Sequence, residues 1–190
     1  MATEKIENGI ANPSPLGLLG FGMTTLLLNL HNASIIPLSA VILAMGLCLG
    51  GAAQIIAGIM EFRKNNTFGA TAFTAYGFFW LSLVSIWVNP FPGINKADEK
   101  SMGFYLLIWA VFTAFMFIGT LKHNRATQVV FLTLAVLFLL LSIADFSGAP
   151  GIKIAAGWVG ILCGVSAMYK QHGADRKQRV WQKNSPAVKV

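Results

Sequence analysis

Six stretches of the chain, 16–30, 38–60, 68–88, 102–121, 129–144 and 154–169, are dominated by apolar side chains and contain no Asp, Glu, Lys or Arg. Crossing the hydrocarbon layer of a bilayer takes about 20 residues of helix. The second, third and fourth stretches reach that length unaided. The first, fifth and sixth reach it by adding flanks at 10–15, 126–128 and 149–153. The pattern predicts an all-α integral membrane protein with six transmembrane helices. It divides into a polar N-terminal leader (1–12), a six-helix membrane domain (13–170) and a basic tail (171–190).

Composition narrows the class further: 55% of the residues are hydrophobic and 11% charged, against about a quarter charged in a soluble domain. The charges lie between and outside the apolar stretches, where they report orientation. With the N-terminus inside, Lys5, Arg63, Lys64, Lys122, Arg125, Lys170, Arg176, Lys177, Arg179, Lys183 and Lys189 are cytoplasmic, and only Lys96, Lys100 and Lys153 are outside. Basic residues are retained on the cytoplasmic side, so both termini are expected there, in a multi-pass protein of the cytoplasmic (inner or plasma) membrane. The net charge of +7 is then topological and calls for no nucleic-acid partner. Arg176, Lys177, Arg179 and Trp181 of the tail suit either solvent or anionic headgroups of membrane lipid. Glu4, Lys5 and Glu7 argue against a cleavable signal, so the first helix is expected to remain.

No chemistry of catalysis is legible. His31, His123 and His172 fall at span ends, in a loop and in the tail, Glu61 and Asp145 are single, and no paired acids or metal-ligand spacing occur. Neither an enzyme nor a cofactor is expected. Cys48 and Cys163 read as small buried hydrophobes. The spans do carry sparse polar groups, Thr24, Thr25, Asn29, Gln54, Thr71, Thr74, Tyr76, Ser82, Ser85, Thr113, Thr133, Ser142 and Ser166. Each either bonds back to its own helix or, where several converge, lines a path for a solute. Gly46 with Gly50, and Gly160 with Gly164, form two GxxxG pairs that suit close helix contact, within one bundle or between subunits.

The stretch from Asn12 through Pro13, Ser14, Pro15, Leu16, Gly17 and Leu18 to Gly22 combines two prolines with three glycines. It reads equally as non-helical backbone lining a cavity or as a helix start with Pro15 in the first turn. Its seven residues NPSPLGL resemble the NPAPLGL signature of the acetate uptake transporter family, with Ser14 for Ala. The resemblance continues through GFGMTTLLLNLHN (20–32), NTFGATAFTAYGFFW (66–80), FMFIGTLK (115–122) and AGWVGILCG (156–164). It implies a six-helix protomer that assembles as a homohexamer and carries acetate and, in bacteria, succinate. It also implies a pathway pinched by Phe21, Tyr76 and Leu134, a role in substrate preference for Ala167, and an entrance at Asn12, Pro13, Pro15, Leu16 and Gly17.

An acid of pKa ~4.3 is ionised about 500 to 1 at pH 7. An anion at the bilayer centre costs about 3 kcal/mol or more, and no span holds a cation to offset that. The substrate must be met by helix N-termini, amides and hydroxyls, or cross as the neutral acid with its proton. The Tyr76 hydroxyl is expected to donate to a passing carboxylate. Proton-coupled transport of acetate and related carboxylates is therefore the leading expectation, with a passive channel or a non-transporting structural protein as alternatives.

Overall fold

Three of the apolar runs begin just after an Asn or Asp whose side chain accepts from a free N–H of the first helical turn, the cap such residues favour. Asn66 accepts from Gly69, Asp98 from Ser101 and Asn124 from Thr127. Two runs end where Asn89 and Gly148 adopt left-handed backbone, with φ of 48° and 63°, the conformation that stops a helix. The computed structural model describes residues 11–122 and 124–184, with side chains described through Lys170. Residues 1–10 of the leader, His123 and the side chains of the tail lie outside the described residues.

The helices are α1 (Ser14–Asn32), α2 (Ala40–Arg63), α3 (Thr67–Val88), α4 (Glu99–Thr120), α5 (Arg125–Ser147) and α6 (Pro150–Asn184). Among the described residues there is no strand. Five helices, α2 to α5 and the Pro150–Lys170 part of α6, are long and apolar enough to cross a membrane. At 19 residues α1 is about 28 Å long, but it buries Thr24, Thr25, Asn29 and Asn32. Its polarity is turned inward, and it completes the six-helix bundle by packing rather than by hydropathy. Within α2, Gly46–Ala53 is wound as a π-helix, a form that appears in short pieces and often at functional sites. The Thr24 hydroxyl of α1 donates to the Met45 carbonyl where this segment begins, at 3.4 Å. Helix α6 runs unbroken to Asn184, so the basic tail continues the last helix.

The chain closes on itself by laying α1 along α6, the most extensive helix contact in the bundle, while α4 pairs with α5 and α5 with α6. Both GxxxG pairs are spent inside this one bundle. A β-carbon on Gly164 would lie 2.8 Å from the Gly22 carbonyl, and one on Gly160 would strike the Asn29 amide. Gly50 packs under Trp80 of α3, and Gly46 under Val84. Of the two cysteines, Cys163 is buried as expected, whereas Cys48 is exposed on the outer face of α2; burial of both was an overreach.

Candidate substrate pathway

Residues four and three apart share a helix face, and α1 turns Thr25, Asn29 and Asn32 to the interior as one polar stripe. That stripe faces apolar side chains from three other helices: Leu83 of α3, Leu106 of α4, and Leu134, Leu137 and Phe138 of α5. Between them lies a cavity of about 330 Å³. Lys96, Asp98, Glu99, Asp145 and Lys153 form one rim of it; Phe21 and Leu134 also line it. Asp98 stands outside the spans, and the Ser101 amide and hydroxyl, donating at 2.7 and 3.0 Å, hold its carboxyl below the usual carboxylate range. The cavity thus passes from a charged rim to a wall with hydroxyls and amides on one side and hydrocarbon on the other.

Phe21 and Tyr76, from α1 and α3, meet with ring centroids 5.9 Å apart. Both are buried, as is Leu134 at 3% exposure, and all three belong to one hydrophobic cluster. Phe21 and Leu134 line the cavity, whereas Tyr76 does not. The Tyr76 hydroxyl donates to Thr113 Oγ1 at 3.0 Å, and Thr113 in turn donates to the Trp109 carbonyl at 2.7 Å. In this arrangement the Tyr76 hydroxyl is bonded to α4, and the Tyr76 ring sits against Trp109, Phe112 and Phe131. Ala167 is fully buried in the same cluster and does not line the cavity.

The signature residues lie at the opposite end of the bundle. Helix α1 starts at Ser14 behind Pro13 and is regular to Asn32, and the Gly17 amide donates to the Pro13 carbonyl at 3.2 Å. Of the two readings of this stretch, the helix start with Pro15 in the first turn holds. The Asn12 side-chain oxygen accepts from the Ser14 amide at 3.3 Å and from Lys64 Nζ at 3.2 Å. Ser14 Oγ donates to one oxygen of Glu61, and Asn66 Nδ2 to the other at 2.7 Å. Glu61 is fully buried, with Lys170 of α6 near enough to interact by charge. Gly17 admits the Phe73 ring, and Leu16 is exposed. Asn12 and Ser14 thus tie the start of α1 to the end of α2, and none of Asn12, Pro13, Pro15, Leu16 and Gly17 lines the cavity.

Among the other polar groups, Ser85, Thr113, Thr133 and Ser166 bond to carbonyls four residues back, the local role. Ser82 with Tyr105 and Ser142 with the Gly103 carbonyl join α3 to α4 and α5 to α4. Thr25 and Asn29 reach the cavity. Asn32 and the rim charges were missed by sequence reasoning, although the spacing of Asn32 from Thr25 and Asn29 was a signal available to it.

The sequence matches the GPR1/FUN34/yaaH family over residues 2–186. It is 54% identical over 165 residues to the succinate-acetate/proton symporter SatP of Escherichia coli (strain K12), covering 86% of this chain and 88% of that one. It is 42% identical over 171 residues to ammonia transport outward protein 2 of Saccharomyces cerevisiae, covering 85% of this chain and 60% of the yeast protein. The fold superimposes on a structure described as the bacterial acetate channel SatP with a TM-score of 0.88, at 50% identity, over 93% of this chain and 98% of that one. A six-helix apolar bundle matched over nearly its whole length makes this a multi-pass membrane protein, and the chain belongs to the GPR1/FUN34/yaaH family.

Proposed function

We propose that the protein moves acetate and related small carboxylates, succinate among them, across the cytoplasmic membrane together with protons. The observation that carries the reading is the 54% identity to a succinate-acetate/proton symporter over 86% of the chain. The cavity supports it physically. Inward of its charged rim, the wall offers Thr25 and Asn29 and then Phe21 and Leu134, with no cation to offset a carboxylate's charge. Phe21, Tyr76 and Leu134 act as an apolar pinch that strips water from what passes, so small acids pass most readily. Ala167, packed in the same cluster, tunes substrate preference through the volume it leaves.

The end that holds Asn12, Lys64 and Lys170 is cytoplasmic, by the excess of basic residues there, and the rim with Lys96 and Lys153 faces outward. The signature serves the inner end of the route by fixing the start of α1. The protomers assemble as a hexamer through their outer apolar faces, since both GxxxG pairs are occupied within the bundle.

The deciding experiment is uptake of labelled acetate into proteoliposomes under an imposed inward proton gradient. Accumulation above the outside concentration, abolished by a protonophore, is expected. A second reading, a passive acetate channel, is favoured by the description of the structural relative; it gives equilibration without accumulation.

A further inference from the structure

Among the described residues, four polar atoms of the bundle are buried without a hydrogen-bond partner: both amide atoms of Gln54, the Thr74 hydroxyl and the Trp80 ring nitrogen. Buried polar groups are nearly always paired, and an unpaired one in a native fold points to an occupant or a task. Gln54 is fully buried and is the first residue after the π-helical segment of α2. Its depth is fixed by two glycines that flank the pinch. A β-carbon on Gly20, next to Phe21, would lie 3.3 Å from Gln54 Cγ. One on Gly77, next to Tyr76, would lie 3.0 Å from the Gly51 carbonyl and 3.1 Å from the Ile55 amide nitrogen. Gln54 therefore stands at the level of Phe21 and Tyr76. Trp80, one turn beyond Tyr76 on α3, lines the cavity, and Thr74 lies two residues before Tyr76.

We propose that Gln54 is a carboxyl subsite at the pinch, and that it receives the substrate as the neutral acid; this rests on the carboxylate-transport reading above. A primary amide offers a donor and an acceptor side by side. A protonated carboxylic acid matches both, its O–H donating to Oε1 and its carbonyl accepting from Nε2. A carboxylate has acceptors only, so it satisfies Nε2 and sets its charge against Oε1. The acid takes its proton from water on one side and returns it on the other, and no bond to the protein is made or broken. Trp80, which lines the cavity, offers its Nε1 to the carboxyl on the way in. Because Gln54 is closed to solvent, the subsite fills only when the pinch parts.

The test is exchange of labelled acetate across proteoliposomes holding the full chain, with equal pH on both sides so that no coupling is required. If the neutral acid is the bound species, the half-saturation concentration of total acetate in the wild-type protein rises about tenfold from pH 6 to pH 7, because the neutral fraction falls by that factor. A half-saturation that does not change with pH overturns the proposal without involving any variant. Gln54→Met keeps the length of the side chain and removes both hydrogen bonds; its half-saturation should rise about tenfold, with Gln54→Asn in between. Wild-type exchange kinetics in Gln54→Met would mean that the amide holds water or nothing, and would overturn the proposal while leaving the transport reading intact. A wild-type protein that exchanges no acetate at all would overturn both.

Discussion

Where α1 meets α6, backbone lies against backbone; where α3 meets α4 and α5, aromatic rings stand between the helices. At the first seam Gly22, Gly157, Gly160 and Gly164 leave no room for a β-carbon, and Gly157 presses on the backbone of Ala33. At the second, Tyr76 and Phe79 of α3 reach Tyr105, Trp109 and Phe112 of α4 and Phe131 and Phe138 of α5. Lipid gives apolar helices little reason to associate, so close van der Waals contact and interhelical hydrogen bonds must hold them. The glycine seam supplies that contact and has no slack. The aromatic seam holds helices farther apart with side chains that turn about two bonds, and beside it lies the cavity. A transporter needs both: one wall that stays put and one whose side chains can part.

The comparison is broken most severely at the glycine seam. Gly160→Leu drives a side chain into Asn29 and the α1 backbone, and should cost about 3 kcal/mol, read as loss of folded protein on size exclusion in mild detergent. Gly151→Ala, at a glycine with nothing within 4 Å, is the control and should behave as wild type. The next largest effect is expected at the signature end. Glu61→Ala removes the acceptor for Ser14 and Asn66 and should lower stability by about 2 kcal/mol, whereas Glu61→Gln keeps one acceptor oxygen and should lose less; thermal unfolding in detergent ranks the two. The smallest effect belongs to the aromatic seam. Tyr76→Phe loses only the bond to Thr113, worth about 1 kcal/mol, and initial acetate uptake should stay close to wild type because that hydroxyl is already committed. A large fall in uptake with unchanged stability would show that the hydroxyl meets substrate after all.

How much of this was legible in the sequence follows the physics of each feature. The helices were legible because lipid excludes charge: Arg63 and Lys64, or Lys122 and Arg125, mark the ends of spans. The start of α1 was not settled, because Pro13 and Pro15 fit a cap and an irregular loop equally well, and only the packing of Gly17 and Gly20 on their neighbours decides. The grouping of Phe21, Tyr76 and Leu134 came from family resemblance, since a buried aromatic has the same local pattern in a core as beside a path. Gln54 stood among the polar residues of the spans, but nothing local distinguishes an amide that has found a partner from one that has not. The π-helical turn before it had no sequence signal that we can name. Glu61 read as a lone acid at a span end, because its donors, Ser14 and Asn66, come from other helices or from beyond the turn.

We propose that substrate passes the pinch beside the aromatic seam and that Leu134 is where size is filtered. Leu134→Ala removes side-chain volume from a residue that is 3% exposed and lines the cavity. It adds no charge and should cost about 2 kcal/mol of stability. Initial rates of acetate and succinate uptake, measured in proteoliposomes at matched protein density, give the ratio that decides. The account predicts that succinate uptake rises several-fold relative to acetate in Leu134→Ala. An unchanged ratio, with both rates falling together, would contradict it and return Leu134 to the packed core.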